Sequence, residues 1–268
     1  MLAAVRVPPD ENIFAPEFPP KLDWLNVAFL RLSQVLGQHA VLVEFWDFAR
    51  VNSLRTMPYL KAWDERYRSL GLRVIGVHSP GYSFGRDRDV VAEAAAALEV
   101  PYAVCLDPDF AVWQEYGNKG WPGRYLFDRR GLLRYVHYGE GDYLDCELAI
   151  QELLREIDPG AELPAPLDPL RPEDAPGVEL AAQTADVALP AERERLELVR
   201  SWLDGPDYIE AEDAGAGASV RFENAGSAWV VLSGGEVEDP GLYETDGTVV
   251  ADDPGLRIHG FQFTPAAP

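Results

Sequence analysis

Residues 41–60 read Val-Leu-Val-Glu-Phe-Trp-Asp-Phe-Ala-Arg-Val-Asn-Ser-Leu-Arg-Thr-Met-Pro-Tyr-Leu. The first six are apolar apart from one glutamate, which is typical of a strand buried on both faces. The segment that follows lacks glycine as far as Tyr67 and has recurring apolar residues, which predicts a helix interrupted or kinked at Pro58. A second apolar run at 72–79 then completes a predicted strand–helix–strand unit.

The residues beyond this unit predict an α/β domain. Their patterns indicate a helix at 87–99, a strand at 102–106, a helical turn at 109–116, a hairpin formed by 124–128 and 132–138, and an amphipathic helix at 144–157. Gly131 suits the positive-φ position of the hairpin turn, and Pro159-Gly160 ends the last helix. Parallel strands followed by an antiparallel hairpin predict a central mixed sheet flanked by helices.

A proline-rich stretch divides the chain. Six prolines fall between residues 159 and 177, which favours a semi-rigid linker or an extended wrap over the surface. We therefore predict an α/β domain with an N-terminal extension at 1–158, a linker at 159–190, and a small β-rich module at 191–268. The module is predicted to begin with one short helix at 191–203. Its later alternating stretches, ending with 256–263, predict an antiparallel sheet or sandwich.

The charge of the chain is strongly negative and unevenly distributed. There are 45 acidic residues against 23 Lys plus Arg, and residues 158–268 hold 23 of the acids but only 6 of the bases. Nucleic acid is excluded as an expected partner because phosphate binding depends on basic side chains. We interpret the acidic half as a solvated surface, with salt adaptation left open. No apolar run has the length of a signal peptide or membrane span, so we expect a cytoplasmic location and no membrane contact.

The cysteines and histidines indicate no metal, cofactor or disulfide. Cys105 and Cys146 lie 41 residues apart without ligand-type neighbours and are expected to be buried thiols. His78, His137 and His259 are widely separated and are each expected to be ordinary strand residues.

The motif at 45–60 resembles the active-site segment of the TlpA-like branch of the thioredoxin superfamily, and most resembles the soluble C-terminal region of DipZ-like proteins. The resemblance spans roughly residues 13–155 and includes Ala15-Pro-Glu-Phe-Pro, Val74-Ile-Gly-Val-His, Leu106-Asp-Pro-Asp, Trp121-Pro and Tyr138-Gly-Glu-Gly. It implies a thioredoxin-like fold for this region. For 191–268 it implies an abbreviated form of the carbohydrate-module-like sandwich that DipZ-like proteins carry.

The two cysteines of the family's Cys-x-x-Cys motif are replaced by Arg50 and Ser53. A thioredoxin-like nucleophile acts as a thiolate at the start of a helix, where Arg50 places a cation that cannot attack a disulfide. Ser53 cannot resolve a mixed disulfide, because its alkoxide is inaccessible at neutral pH. The sequence therefore predicts a degenerate, redox-inactive site with no catalytic residue.

The resemblance also implies roles for residues around the former site. Glu44 stands where the family has a buried acid, and we expect it to pair with Arg50 or another cation, or to remain protonated. Pro122 resembles the family's cis-proline. With Trp46 and Trp121, these residues form the candidate groove, although Trp46 is equally well explained as core.

Three functions are left open by the sequence. The first is binding or scaffolding through the former active-site groove, with a protein or small-molecule ligand and with homodimer formation undecided. The second is a non-dithiol enzyme that uses Arg50 as an anion clamp. The third is carbohydrate or protein binding by the β-rich module, which exposure of Trp202, Trp229 or Tyr243 would favour.

Overall fold

The computed structural model describes residues 2–180 and 184–266. These residues form two compact units. The first unit contains the chain up to Asp47 together with Asn52–Pro80 and Ala92–Pro176. The second unit contains the chain from Gly177 onward and two short pieces, Phe48–Val51 and Gly81–Val91, which we call segment 48–51 and segment 81–91. The change from the first unit to the second, after Pro176, falls inside the stretch predicted as a linker.

The first unit is built on a seven-stranded sheet with the order β1-β7-β6-β3-β4-β5-β2. Its strands are β1 (Leu2–Arg6), β2 (Trp24–Leu25), β3 (Ala40–Trp46), β4 (Leu72–His78), β5 (Ala103–Leu106), β6 (Gly123–Phe127) and β7 (Leu133–Tyr138). The helices are α1 (Leu32–Val35), α2 (Val51–Tyr67), α3 (Arg88–Ala97), α4 (Ala111–Glu115) and α5 (Tyr143–Ile157). None of the helices in the described part of the chain is long and apolar enough to cross a membrane.

Strand β3 lies at the centre of this sheet, parallel to β4 and antiparallel to β6. All seven of its residues are buried, which explains its nearly continuous apolar sequence. Gly76 on β4 is required by this packing, because a Cβ there would lie 2.9 Å from Trp46 Nε1. The mixed sheet with flanking helices confirms the predicted fold class, and the strands and helices predicted between residues 41 and 157 lie within a few residues of their observed bounds.

The second unit contains two antiparallel sheets. One follows the order β10-β11-β16-β13-β14, with β8 also paired to β16, and the other has the order β15-β12-β9. The strands are β8 (Val187–Ala188), β9 (Leu196–Val199), β10 (Trp202–Asp204), β11 (Ile209–Ala211), β12 (Gly217–Val220), β13 (Ala225–Gly234), β14 (Gly241–Thr245), β15 (Thr248–Val250) and β16 (Leu256–Pro265). Apolar residues of both sheets form one core, in agreement with the predicted β-rich module.

The helix predicted at 191–203 is wrong. The structure has a single 3₁₀ turn at Arg193–Arg195 followed by strands β9 and β10. Leu196 and Leu198 pair with Val220 and Ala218 of β12, so the alternation of β9 is used for cross-strand packing. Arg200 then takes a left-handed conformation, with a φ of 63°, between the two strands. Tertiary pairing thus overrides the helix-favouring charged residues at the start of this stretch.

The first part of the proline-rich stretch is an extended wrap over α2 and α5. Gln151 on α5 donates from Nε2 to the carbonyl of Pro164 at 2.8 Å, and Glu147 accepts from the Leu167 N–H at 2.9 Å. Tyr59 on α2 accepts from the Leu170 N–H at 2.8 Å. These bonds hold residues 164–170 on the first unit through their backbone.

Candidate functional site

The former active-site motif lies where β3 leads into α2. Segment 48–51 connects the two elements, Val51 is the first residue of α2, and Ser53 lies in its first turn. Ser53 is buried, and its Oγ accepts a hydrogen bond from the backbone N–H of Asp47 at 3.3 Å. The residue at the second cysteine position therefore holds the end of strand β3 against the start of the helix.

Arg50, at the first cysteine position, is half-buried and packs within the second unit. Its guanidinium carbon lies 4.6 Å from the centre of the Tyr82 ring, which is the geometry of a cation–π contact. Burial raises the pKa of Asp186, and the positive charge of Arg50 opposes that rise. Arg50 thus directs its charge towards an aromatic ring and a carboxylate of its own unit.

Gln262 on β16 bonds to the backbone of segment 48–51. Its Oε1 accepts from the N–H of Val51 at 2.8 Å, and its Nε2 donates to the carbonyl of Ala49 at 2.7 Å. Both partners and Gln262 itself are buried. Sequence reasoning missed this residue because it lies more than 200 positions from the motif, although a glutamine within an apolar strand was a usable signal.

Glu44, on β3, lies opposite Arg124 of β6, and both side chains are fully buried. Arg124 Nε is 3.8 Å from Glu44 Oε2, and Arg124 Nη2 donates to the carbonyl of Gly141 at 2.7 Å. Burial raises the pKa of Glu44 to about 8, and the charge of Arg124 opposes this shift. The expected burial of Glu44 is confirmed, and its cation is Arg124 rather than Arg50.

The candidate groove residues are not equally accessible. The Trp121–Pro122 peptide bond is cis, as the resemblance predicts. Trp121 is half-buried, and its indole N–H donates to the Ser79 carbonyl at 2.9 Å. Glu44 and Trp46, in contrast, have almost no exposed surface. The interpretation of these two as groove residues is therefore corrected, since β3 is covered on both faces.

Asp47, Ser79 and Asp107 directly follow the parallel strands β3, β4 and β5, and sequence reasoning missed all three. Ser79 donates from Oγ to Asp107 Oδ2 at 2.9 Å, and His78 Nε2 lies 3.5 Å from Asp47 Oδ1. Asp107 also accepts from the N–H of Val112 at the start of α4, at 3.0 Å. The carboxyl ends of parallel strands are where α/β sheets bind ligands, so a polar residue directly after each strand was a signal. Here these side chains are buried, and Ser79 and Asp107 are hydrogen-bonded to each other.

The remaining thiols and histidines are buried at separate places. Cys105 is in β5 and Cys146 in α5, and neither forms a disulfide. Burial raises the pKa of Cys146 to about 12 and also raises that of Cys105. Burial and the charge of Arg124 lower the pKa of His137 to about 4. Within residues 2–180 and 184–266, no group of three His, Cys, Asp or Glu side chains is arranged to hold a metal ion.

The aromatic residues that would favour a carbohydrate site differ in exposure. Trp202 is buried, and Trp229 is half-buried with its indole N–H donating to Ser227 Oγ at 2.9 Å. Tyr243 is 38% exposed and donates its hydroxyl to the carbonyl of Asp239. Of these three, a single ring is exposed for stacking against a sugar.

Comparisons with known proteins found relatives that match part of the chain. No family model matches the sequence. Protein DipZ of Mycobacterium tuberculosis is 36% identical over 173 residues, which cover 63% of this chain and 25% of DipZ. The chain thus spans about a quarter of the length of that relative.

Two further similar proteins each cover about half of the chain. The thiol–disulfide oxidoreductase YkuV of Bacillus subtilis is 27% identical over 143 residues, covering 53% of this chain and 95% of YkuV. A thiol–disulfide isomerase structure from Corynebacterium glutamicum is 22% identical, has a TM-score of 0.48, and covers 54% of this chain and 97% of its own. The chain has a thioredoxin-like fold and is homologous to DipZ and to YkuV/TlpA-like thiol–disulfide oxidoreductases.

Proposed function

We propose that this chain is a redox-inactive thioredoxin-like protein with a binding or scaffolding role. The observation that carries the proposal is the state of the two cysteine positions. Arg50 packs over Tyr82, and Ser53 accepts a hydrogen bond from Asp47. Neither side chain can form a disulfide bond. Each side chain also contacts another residue of the chain.

The remaining sulfur chemistry supports the same proposal. Disulfide exchange requires a thiolate with access to its target. Cys105 and Cys146 are both buried, and burial raises the pKa of each thiol. The oxidoreductase activity named for YkuV therefore has no equivalent nucleophile among the cysteines of this chain.

Binding is favoured over a non-dithiol reaction at Arg50. An anion clamp needs a cation that faces the ligand, whereas Arg50 lies over Tyr82 and offsets the negative charge of Asp186. Carbohydrate binding by the second unit is supported less, because Trp202 is buried and Trp229 is half-buried.

Insulin reduction by dithiothreitol tests the redox part of the proposal. We expect the rate of insulin precipitation to equal that of the buffer blank at every concentration of this chain. YkuV of Bacillus subtilis, homologous over nearly its whole length, serves as the positive control. A precipitation rate that rises with the concentration of this chain, and disappears after its thiols are alkylated, would refute the proposal.

A further inference from the structure

One side chain holds the backbone of segment 48–51 from both sides of Arg50. The side-chain amide of Gln262 accepts a hydrogen bond from the Val51 N–H at 2.8 Å and donates one to the Ala49 carbonyl at 2.7 Å. One residue of a parallel neighbouring strand makes bonds of this kind, donating from its N–H and accepting at its carbonyl. A primary amide is neutral, so it makes both without burying a charge.

Strand β16 also contacts segment 81–91. Gln262 Nε2 donates to Tyr82 Oη at 3.3 Å, which completes its hydrogen bonds. Nearby, the carboxylate of Asp207 accepts from Ser83 through its backbone N–H at 2.6 Å and its Oγ at 3.0 Å. His259, on β16, packs edge-to-face against Tyr82 with ring centres 5.4 Å apart. Gln262 therefore bonds to both segments.

The backbone of β16 is adapted to this arrangement at Gly260, two residues before Gln262. A Cβ at Gly260 would lie 2.4 Å from the carbonyl oxygen of Val187 and 3.4 Å from Tyr82 Oη. Glycine thus permits the close pairing of β8 with β16, two residues from the amide.

We infer that Gln262 is an intramolecular latch that closes segment 48–51 to outside partners. By bonding to the Ala49 carbonyl and the Val51 N–H, Gln262 occupies the two backbone groups through which an outside peptide would form hydrogen bonds with this segment. The latch concerns the same motif as the proposed function and extends it, because the motif is closed by a contact as well as by the loss of both cysteines.

A thiol placed at position 50 reports whether the latch closes the segment. We would compare Arg50→Cys alone, Arg50→Cys with Gln262→Met, and Arg50→Cys with Gln151→Met, measuring the iodoacetamide alkylation rate at position 50 by peptide mass spectrometry. Gln151 is a matched control, because its buried Nε2 also makes two hydrogen bonds at 2.8 Å, to Tyr67 and Pro164. We expect Gln262→Met to raise the rate by about tenfold or more, since two hydrogen bonds are lost, and Gln151→Met to leave it unchanged.

Amide hydrogen exchange at Val51 tests the latch without any new cysteine. In the full chain, Gln262→Met should reduce the protection of the Val51 N–H by about tenfold or more, and Gln151→Met should not. Equal exchange in both variants, or fast alkylation at position 50 while Gln262 is present, would overturn the latch. Neither result bears on insulin reduction by the unmodified chain, so the latch and the proposed function fail separately.

Discussion

Strands β3 and β16 are both buried on both faces, yet each accommodates a polar side chain differently. Glu44 on β3 has no hydrogen bond to either carboxylate oxygen, and its charge is offset only by Arg124 at 3.8 Å. Gln262 on β16 makes three hydrogen bonds, to Val51, Ala49 and Tyr82. Strand β3 thus buries an ionisable side chain that makes no hydrogen bond, and β16 buries a neutral side chain that is hydrogen-bonded at both its oxygen and its nitrogen.

This difference indicates which of the two buried polar residues stabilises the fold. A buried charge is costly unless it is paired, whereas a buried amide with all its bonds made adds specificity at little cost. Glu44 keeps the position of the family's buried acid, but position 53 holds a serine instead of the cysteine such an acid would serve. Gln262 instead bonds to the backbone of segment 48–51, within the second unit.

The largest effect should come from removing the buried guanidinium. Arg124→Met would remove the hydrogen bonds to the carbonyls of Gly139 and Gly141. Because two hydrogen bonds from a charged donor are lost, we expect the free energy of unfolding, measured by urea denaturation, to fall by about 3–5 kcal/mol. Arg130→Met is the control, because Arg130 pairs with Asp128 from an exposed position and should cost less than about 1 kcal/mol. Equal losses for the two variants would contradict the importance of the buried guanidinium.

The next effect concerns the neutral amide. Gln262→Met keeps the length of the side chain but leaves the Val51 N–H and the Ala49 carbonyl unpaired. Each buried polar group without a hydrogen bond costs about 1–3 kcal/mol. We therefore expect the free energy of unfolding, measured by urea denaturation, to fall by about 2–4 kcal/mol. A loss below about 0.5 kcal/mol would show that the amide bonds are not needed.

These two strands also show which features of the fold and of the site could be predicted from the sequence. The apolar runs at β3 and β4 and the motif around Arg50 were sufficient for the fold and for the absence of cysteines at the site. The partner of Glu44 was not predictable, because Arg124 reaches it through the register of an antiparallel strand 80 residues away. Gln262 was missed for the same reason, since contacts between distant strands depend on tertiary pairing rather than on local pattern.

A pH titration sharpens the comparison, because only Glu44 can change charge. Its folded pKa of about 8 lies above its ordinary value of 4.5, so the folded state holds the proton more tightly. The resulting stabilisation is fully present below about pH 4.5 and is lost as pH rises towards about 8. Relative to Glu44→Gln, the wild type should lose at most about 1.4 kcal/mol per pH unit across this range in urea denaturation.

The free energies of unfolding of wild type and Glu44→Gln could instead differ by a constant amount from pH 5 to 8. That result would mean that Glu44 has the same protonation in the folded and unfolded chains. The corresponding titration of Gln262→Met should be parallel to that of the wild type, because an amide does not ionise in this range.

The smallest effect tests the weakest bond of the latch. Tyr82→Phe removes the hydroxyl that accepts from Gln262 Nε2 at 3.3 Å but keeps the ring beneath Arg50. We expect a loss of about 0.5–1 kcal/mol in urea denaturation. Tyr208→Phe is the control, since its ring also packs edge-to-face on His259, with ring centres 5.4 Å apart. A larger loss for the control than for Tyr82→Phe would show that the 3.3 Å bond contributes little.

The central claim is that this thioredoxin-like chain has no dithiol–disulfide cycle. Its most direct test is the intact mass of the full chain after equilibration in a series of reduced and oxidised glutathione mixtures, followed by acid quenching. We predict one mass, that of the chain with two free thiols, at every ratio. Loss of two hydrogens in the oxidising mixtures, regained in the reducing ones, would show that Cys105 and Cys146 cycle as a pair and would contradict the account.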